Sequence, residues 1–264
     1  MVDNSHVSDR HPRAESIRLR ERITRHVETK VVALAGLIAH GRGEAFDYIL
    51  GEETTPPARR AATAAAALLL RAEHPVLSVN GNVAALCARK LVELSKISGA
   101  KLEVNLFHRL PGRDKAIEDI LKSEGAGEIL GVGEAASARI DEVFSDRRRV
   151  DPKGIYAADV VFVPLEDGDR TEGLVRMGKK AITVDLNPMS RTAQFATVTI
   201  VDNVVRAMPL LISEVERLKG ADSGELEAIL AGYDNMEVLS EAIRIMRDRL
   251  QALSEKGVYV EPGD

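Results

Sequence analysis

From Pro75 onward, short β-branched runs alternate with amphipathic stretches of ten or more residues. The runs are PVLSVN, KLEVNLF, EILGVG, ADVVFVP, KAITVDL and ATVTIVD, and a helical pattern follows each of the first four and the last, including SARIDEVFSDRRR after the third. Such alternation indicates right-handed βαβ units on a parallel sheet. Helical patterns also lie outside this region. One runs from Glu15 to about Ala39, a short one follows in EAFDYILGE, and a third is TTPPARRAATAAAALLLRAE. In the third, Thr55 can cap and Pro56 takes the first helical position. The tail after Lys219 reads as two helices broken near GYDN. The expectation is an α/β fold, a parallel sheet flanked by helices, with helical extensions at both ends. It forms a single domain over 1–264: a flexible 1–14, N-terminal helices over 15–74, the α/β core over 75–219 and C-terminal helices over 220–264.

Composition removes several function classes. The net charge is −5, aromatic residues make up 3% and tryptophan is absent, so neither a basic face nor a base-stacking surface for nucleic acid is expected. The lone cysteine, Cys87, excludes an internal disulfide framework and fits a reducing cytoplasm; its apolar helical setting reads as a buried structural thiol. The polar start MVDNSHVSDRHP is not a signal peptide, and AATAAAALLL is too short to span a bilayer, so no membrane partner is expected.

Two features of the N-terminal region are unusual. At about 100° per residue, Leu19, Ile23, Val27, Val31 and Leu34 form one apolar face, with Arg18, Arg22 and Arg25 opposite. Arg20 projects along the apolar stripe, where a charge needs either a ligand or an ion-pair partner. Further on, LIAHGRGEAFDYILGE sets His40 and Arg42 among glycines. Each interior helix glycine costs roughly 1 kcal/mol relative to alanine, so the spacing predicts a helix break there that pushes Arg42 outward.

In an open parallel sheet, ligands bind beyond the C-terminal strand ends. Four such ends are polar. SVNGNV offers Asn80 and Asn82, as amide donors or as an ordinary turn and cap. VNLFHRLPG offers His108 and Arg109, as an anion site or as exposed loop cations. VPLEDGDRT crowds Glu166, Asp167 and Asp169, which suit magnesium or a solvated acidic turn. TVDLNPMSRTA, with IVDNVV after it, offers Asp185, Asn187, Arg191, Asp202 and Asn203. An acid at a strand end can read ribose hydroxyls and an arginine can meet phosphate, so one nucleotide pocket between these last two ends is expected. No GxxxxGK[ST] motif is present, and no zinc-ligand spacing is recognisable. Gly131 and Gly133 in GVGEAASA imitate a dinucleotide turn, leaving an NAD-dependent oxidoreductase as an alternative; a non-catalytic nucleotide sensor is another. Arg147 to Arg149 read as a solvated helix end.

GLIAHGRGEAFDYILGE, GIYAADVVFVPLEDGDRTEGLV and VDLNPMSRTA with the later VDN resemble the archaeal 4-phosphopantoate–β-alanine ligase (phosphopantothenate synthetase) family, from roughly Arg10 to the C-terminus. The resemblance implies a Rossmann-like homodimer on the coenzyme A route. It would join 4-phosphopantoate to β-alanine with ATP and Mg2+ through a phosphopantoyl adenylate, releasing AMP and pyrophosphate. It further implies an ATP site at Arg20, Arg42, Asp185, Leu186, Asn187, Arg191, Thr192, Asp202 and Asn203. Arg42 and His40 are the expected catalytic groups. Phosphopantoate is expected at Asn80, Asn82, His108 and Arg109, and Mg2+ at Asp167 or Asp169.

Overall fold

The computed structural model describes residues 7–8, 10–11, 13–165 and 168–257. Three helices come first: α1 (Ala14–Glu28), α2 (Leu34–Leu50) and α3 (Pro56–Arg71). The core follows as β1 (Pro75–Val79), α4 (Gly81–Ser98), β2 (Lys101–Val104), α5 (Arg113–Ser123), β3 (Ile129–Leu130), β4 (Ala138–Arg139), β5 (Arg149–Val150) and β6 (Val160–Phe162). It continues with α6 (Gly168–Arg176), β7 (Lys180–Val184), α7 (Arg191–Phe195), β8 (Val198–Ile200) and α8 (Val204–Leu218), and then α9 (Ser223–Ala231) and α10 (Asn235–Lys256).

Six strands pair in parallel in the order β3-β2-β1-β6-β7-β8. With the β4–β5 pair set aside, this is the doubly wound Rossmann-like order, whose winding reverses between β1 and β6. The central strands are buried on both faces, which explains their unbroken apolar runs. On one face α3, α4, α5 and α8 cover Leu77, Val79, Leu102, Phe162 and Ile182. The alanines of α3, including Ala61, Ala62 and Ala65, are fully buried, and their small size lets the helix lie close against α8. The other face packs Val76, Val161 and Ala181 against Ile140, Val143, Val150 and Leu174. A third cluster, Leu50, Leu186, Ala193, Leu239 and Met246, joins α2, α7 and α10.

Two local expectations are corrected. Helix α2 runs without interruption through Gly41 and Gly43, and the chain breaks instead at residues 29–33, where Lys30 takes φ 64°. The cause is tertiary. Arg113 donates to the Lys30 and Val31 carbonyls at 3.1 and 2.9 Å, holding the turn on the α4 N-terminus. A Cβ on Gly81 would stand 2.1 Å from the Val31 carbonyl oxygen, so glycine is what admits this close approach. The segment expected as a helix over SARIDEVFSDRRR forms the antiparallel β4–β5 pair and a short 3-10 turn at Asp146–Arg148. Ile140, Val143 and Val150 plug the sheet face from it, and Arg147 is buried against the Asn105 carbonyl at 2.9 Å, not solvated.

Cys87 is buried in α4, and burial raises its thiol to about 12. The helix leaves ideal geometry there, with φ −138° at Cys87, and the adjacent Leu86 carbonyl accepts from Arg22 at 3.1 Å. Among the described residues no helix is long and apolar enough to cross a membrane.

Candidate functional site

The reversal between β1 and β6 opens a crevice at their C-terminal ends. Asn80 pins it. Its Oδ1 caps α4 by accepting from Val83 N at 3.0 Å, and its Nδ2 donates to the Pro164 and Leu165 carbonyls at 3.0 and 3.1 Å. Both halves of the amide are employed in holding the two strand exits together.

A cavity of about 440 Å³ extends from this crevice towards the ends of β7 and β8. One wall is helical: Glu15, Ser16 and Leu19 of α1, then Ala39, His40, Arg42, Gly43, Glu44, Phe46 and Asp47 of α2. The lining continues with Asp185, Leu186, Asn187, Ser190, Arg191 and Thr192 after β7 and with Asn203, Val204 and Arg206 at the start of α8. Asn82, Leu165 and Gly168 close the end nearest the crevice. Gly43 lies with its Cα face towards Leu186, where an added Cβ would stand 3.7 Å from the side chain, so α2 is smooth on the cavity side.

Charges on the lining are mostly matched. Arg191 pairs with Glu172, its Nε 2.9 Å from Oε2, and lies over the Phe195 ring at 5.7 Å. Arg206 grips Asp47 and Asp202 at 2.5 and 2.7 Å. Glu44 accepts from Ser16 and from Arg20, whose Nη2 approaches to 2.6 Å, and Arg13 stands 3.5 Å away. Burial would raise the Glu44 carboxyl, but the Arg20 and Ser16 hydrogen bonds and the Arg20 charge outweigh it and hold it below its usual value. Arg42 differs: among the described residues it has no hydrogen-bond or ion-pair partner, and it acts on Asp185 only through space.

Asp185 ends β7 and accepts from Asn187 N at 2.9 Å and from the Ser190 hydroxyl. Burial raises its carboxyl above the ordinary range, against those hydrogen bonds and the Arg42 charge. His40 is half-buried, and burial, aided by the Arg20 charge and opposed by Glu44, lowers it below the usual imidazole value of 6.5. The shift favours its uncharged form.

The other residues singled out from sequence divide clearly. Leu186, Asn187, Arg191, Thr192 and Asn203 join Arg42, His40 and Asp185 on the lining. Arg20 does not face the core as expected. It is 45% exposed and lies at the rim on Glu44, because α2 supplies a carboxylate where the apolar stripe would have buried the charge. Asp202 is fully buried behind the lining, its oxygens taken by Thr54 Oγ1 at 2.6 Å, Arg206 Nε at 2.9 Å and Asn203 N at 2.7 Å. Asn82 lines the cavity and donates to the Gly36 carbonyl at 2.8 Å. His108 and Arg109 follow β2 and are not on the lining; Arg109 donates to the Gly131 and Arg149 carbonyls at 3.4 and 3.2 Å. Asp169 sits in the first turn of α6 beside Gly168, while Glu166 and Asp167 lie outside the described residues. Among the described residues no group of three or more His, Cys, Asp or Glu stands where it could hold a metal ion. The dinucleotide-like glycines lead only into a 3-10 turn at Gly133–Ala135, which offers no helix N-terminus to a pyrophosphate.

Glu44, Asp47, Glu172 and Arg206 escaped the sequence reading. Two carried a usable signal: Glu44 stands four residues after His40, and Arg206 four after Asp202, the spacing that puts side chains on one helix face.

The phosphopantothenate/pantothenate synthetase family model matches residues 57–249, so α1 and α2, with Arg20 and Arg42, lie outside that match. Relatives cover them. The protein named 4-phosphopantoate–β-alanine ligase of Thermococcus kodakarensis is 51% identical over 94% of this chain and 95% of its own. The protein of that name in Methanosarcina mazei is 49% identical over 94% of this chain and 97% of its own. In Methanospirillum hungatei the figures are 44%, 92% and 98%.

Proposed function

Since the chain belongs to the phosphopantothenate/pantothenate synthetase family and is a ligase, we propose that it joins 4-phosphopantoate to β-alanine at the expense of ATP. The observation that carries this reading is Arg42: a guanidinium on the lining of a switch-point cavity, without a hydrogen-bond or ion-pair partner among the described residues, while Arg191 and Arg206 on the same lining are both paired. A cation left unmatched beside helix N-termini is what a polyanionic reactant needs.

A carboxylate is a poor electrophile, so the acid must be activated before an amine can displace it. In this reading the phosphopantoate carboxylate attacks the α-phosphorus of ATP, giving phosphopantoyl adenylate and pyrophosphate. The amine of β-alanine then attacks the acyl carbon and expels AMP. Both first-step reactants are anionic, and fixed positive charge aimed at the developing phosphorane is the main contribution the protein can make. Arg42 supplies it, with Arg191 on the same cavity lining. Asp185 and Asn187 at the β7 end suit the nucleoside. Asn82, on the crevice side, is assigned to phosphopantoate. Uncharged His40 takes the proton that the β-alanine ammonium loses. Magnesium travels with the nucleotide as part of the substrate and screens the remaining phosphate charge. The active species is a homodimer, which sedimentation at twice the chain mass would support.

The test is an assay with labelled ATP. AMP and pyrophosphate should form when ATP and 4-phosphopantoate are both supplied, with sustained turnover on adding β-alanine. Nucleotide binding without pyrophosphate release from this acid would sink the proposal.

A further inference from the structure

Helix α2 carries little fully buried apolar surface: Leu50 sits in a core cluster, while Leu37, Phe46 and Ile49 are only partly buried against the cores. Of its 17 residues only Asp47 and Leu50 are buried, and one of those is a carboxylate. Polar contacts at Asp47 therefore add to that packing in fixing the helix. Arg206 of α8 places Nη2 at 2.5 Å from Asp47 Oδ1 and Nη1 at 3.2 Å from Oδ2. The same guanidinium sends Nε to Asp202 Oδ1 at 2.9 Å. One planar fork thus bridges a helix and a strand end. Asn203 Nδ2 adds a bond to Asp47 Oδ2 at 2.8 Å, and Thr54 ties the segment after α2 to Asp202 at 2.6 Å.

From this geometry we infer that Arg206 is a positioning residue: through Asp47 it sets the rotation and height of α2, and so aims Arg42 across the cavity at the β7 end. Asp202 belongs to this strut and acts through Arg206. The inference rests on the ligase reading for its catalytic consequence, but the strut itself does not. A bridged carboxylate pair in a buried setting loses its geometry when the fork is replaced by a point charge, because lysine cannot satisfy both acids in one plane.

Two measurements test it. In ATP–pyrophosphate exchange with 4-phosphopantoate, Arg206→Lys should fall about 10-fold or more in a folded protein, the scale on which misplacing a catalytic group is felt. On an Arg42→Ala background the same change should cost nothing further, since what it aims is gone. Losses that multiply would overturn the inference. Should Arg206→Lys fail to fold, Thr54→Val, which removes only the outer bond to Asp202, takes its place with a smaller loss and the same non-additivity. The second measurement is independent of activity. Spin labels at Ala45→Cys on α2 and Ser213→Cys on α8, both exposed positions, should give one narrow distance with Arg206 present and a broadened or shifted one in Arg206→Lys. An unchanged distance refutes the strut even if the ligase assay succeeds. Absence of exchange in the unaltered protein refutes the ligase reading, and the label distance still decides the strut.

Discussion

An arginine without a hydrogen-bond or ion-pair partner among the described residues is held on a cavity lining at the expense of its neighbours, and the pairing around Arg42 shows how. Glu44, two positions on, is occupied by Arg20, Ser16 and Arg13; Asp47, five positions on, is occupied by Arg206 and Asn203. Each carboxylate on α2 that might have neutralised Arg42 is engaged elsewhere, and the charge stays directed into the cavity. Replacing Arg42 by alanine removes no hydrogen bond or ion pair among the described residues, so the melting temperature should hardly move. Adenylate formation should drop by at least about 10²-fold, the usual loss for a missing transition-state charge. Wild-type exchange rates in that variant would refute the assignment. The residue type was legible in the sequence; its helix was not, since the flanking glycines point to a break that α2 does not make, and neither was the pairing, which depends on partners as distant as Arg206.

At the scale of elements, the β-branched runs located the strands because a strand buried on both faces must be apolar throughout. The Asn-Gly-Asn turn suggests Asn82 as the cap of α4, but the structure puts the cap on Asn80 and turns Asn82 to the Gly36 carbonyl. Two other elements were not legible either. Glycines at 41 and 43 suggested a break that the helix tolerates, and the true break at 29–33 is imposed by Arg113 and by the room above Gly81. The β4–β5 hairpin carries a helix-like pattern whose apolar residues are spent plugging a sheet face instead. These positions give opposite signs on substitution. Gly81→Ala should cost about 1–3 kcal/mol, since the Cβ meets backbone that cannot yield and must displace the α1–α2 turn. Gly41→Ala, with nothing within 4 Å of its Cβ, should stabilise by roughly 0.5–1 kcal/mol. Urea unfolding measures both, and equal shifts would contradict the packing described at Gly81.

For the whole molecule, the strand order places the cavity where the winding reverses, and the same sheet buries a polar cluster on its other face. Glu103 of β2 is fully buried and accepts from Asp151 N at 3.0 Å and Ile155 N at 2.6 Å. Burial raises its carboxyl from 4.5 to about 7, against those two bonds and the Arg170 charge. Because the folded value lies above the unfolded one, the unfolded chain gives up this proton first. The stability associated with Glu103 is then complete below pH 4.5 and lost as pH rises through about 7. Glu103→Gln stays neutral throughout. The stability difference between the unaltered protein and this variant should therefore shrink as pH is raised across that window, followed by urea midpoints; a difference that grows would contradict the burial of the acid.

The inert thiol of Cys87, the sole sulfhydryl in the chain, has a practical corollary. Any cysteine placed on an exposed turn of α2 becomes the one site that maleimides modify readily, with no need to strip the native residue from the core. A dye attached there would sit on the wall that bears Arg42 and could follow the filling and emptying of the cavity in real time, one turnover after another.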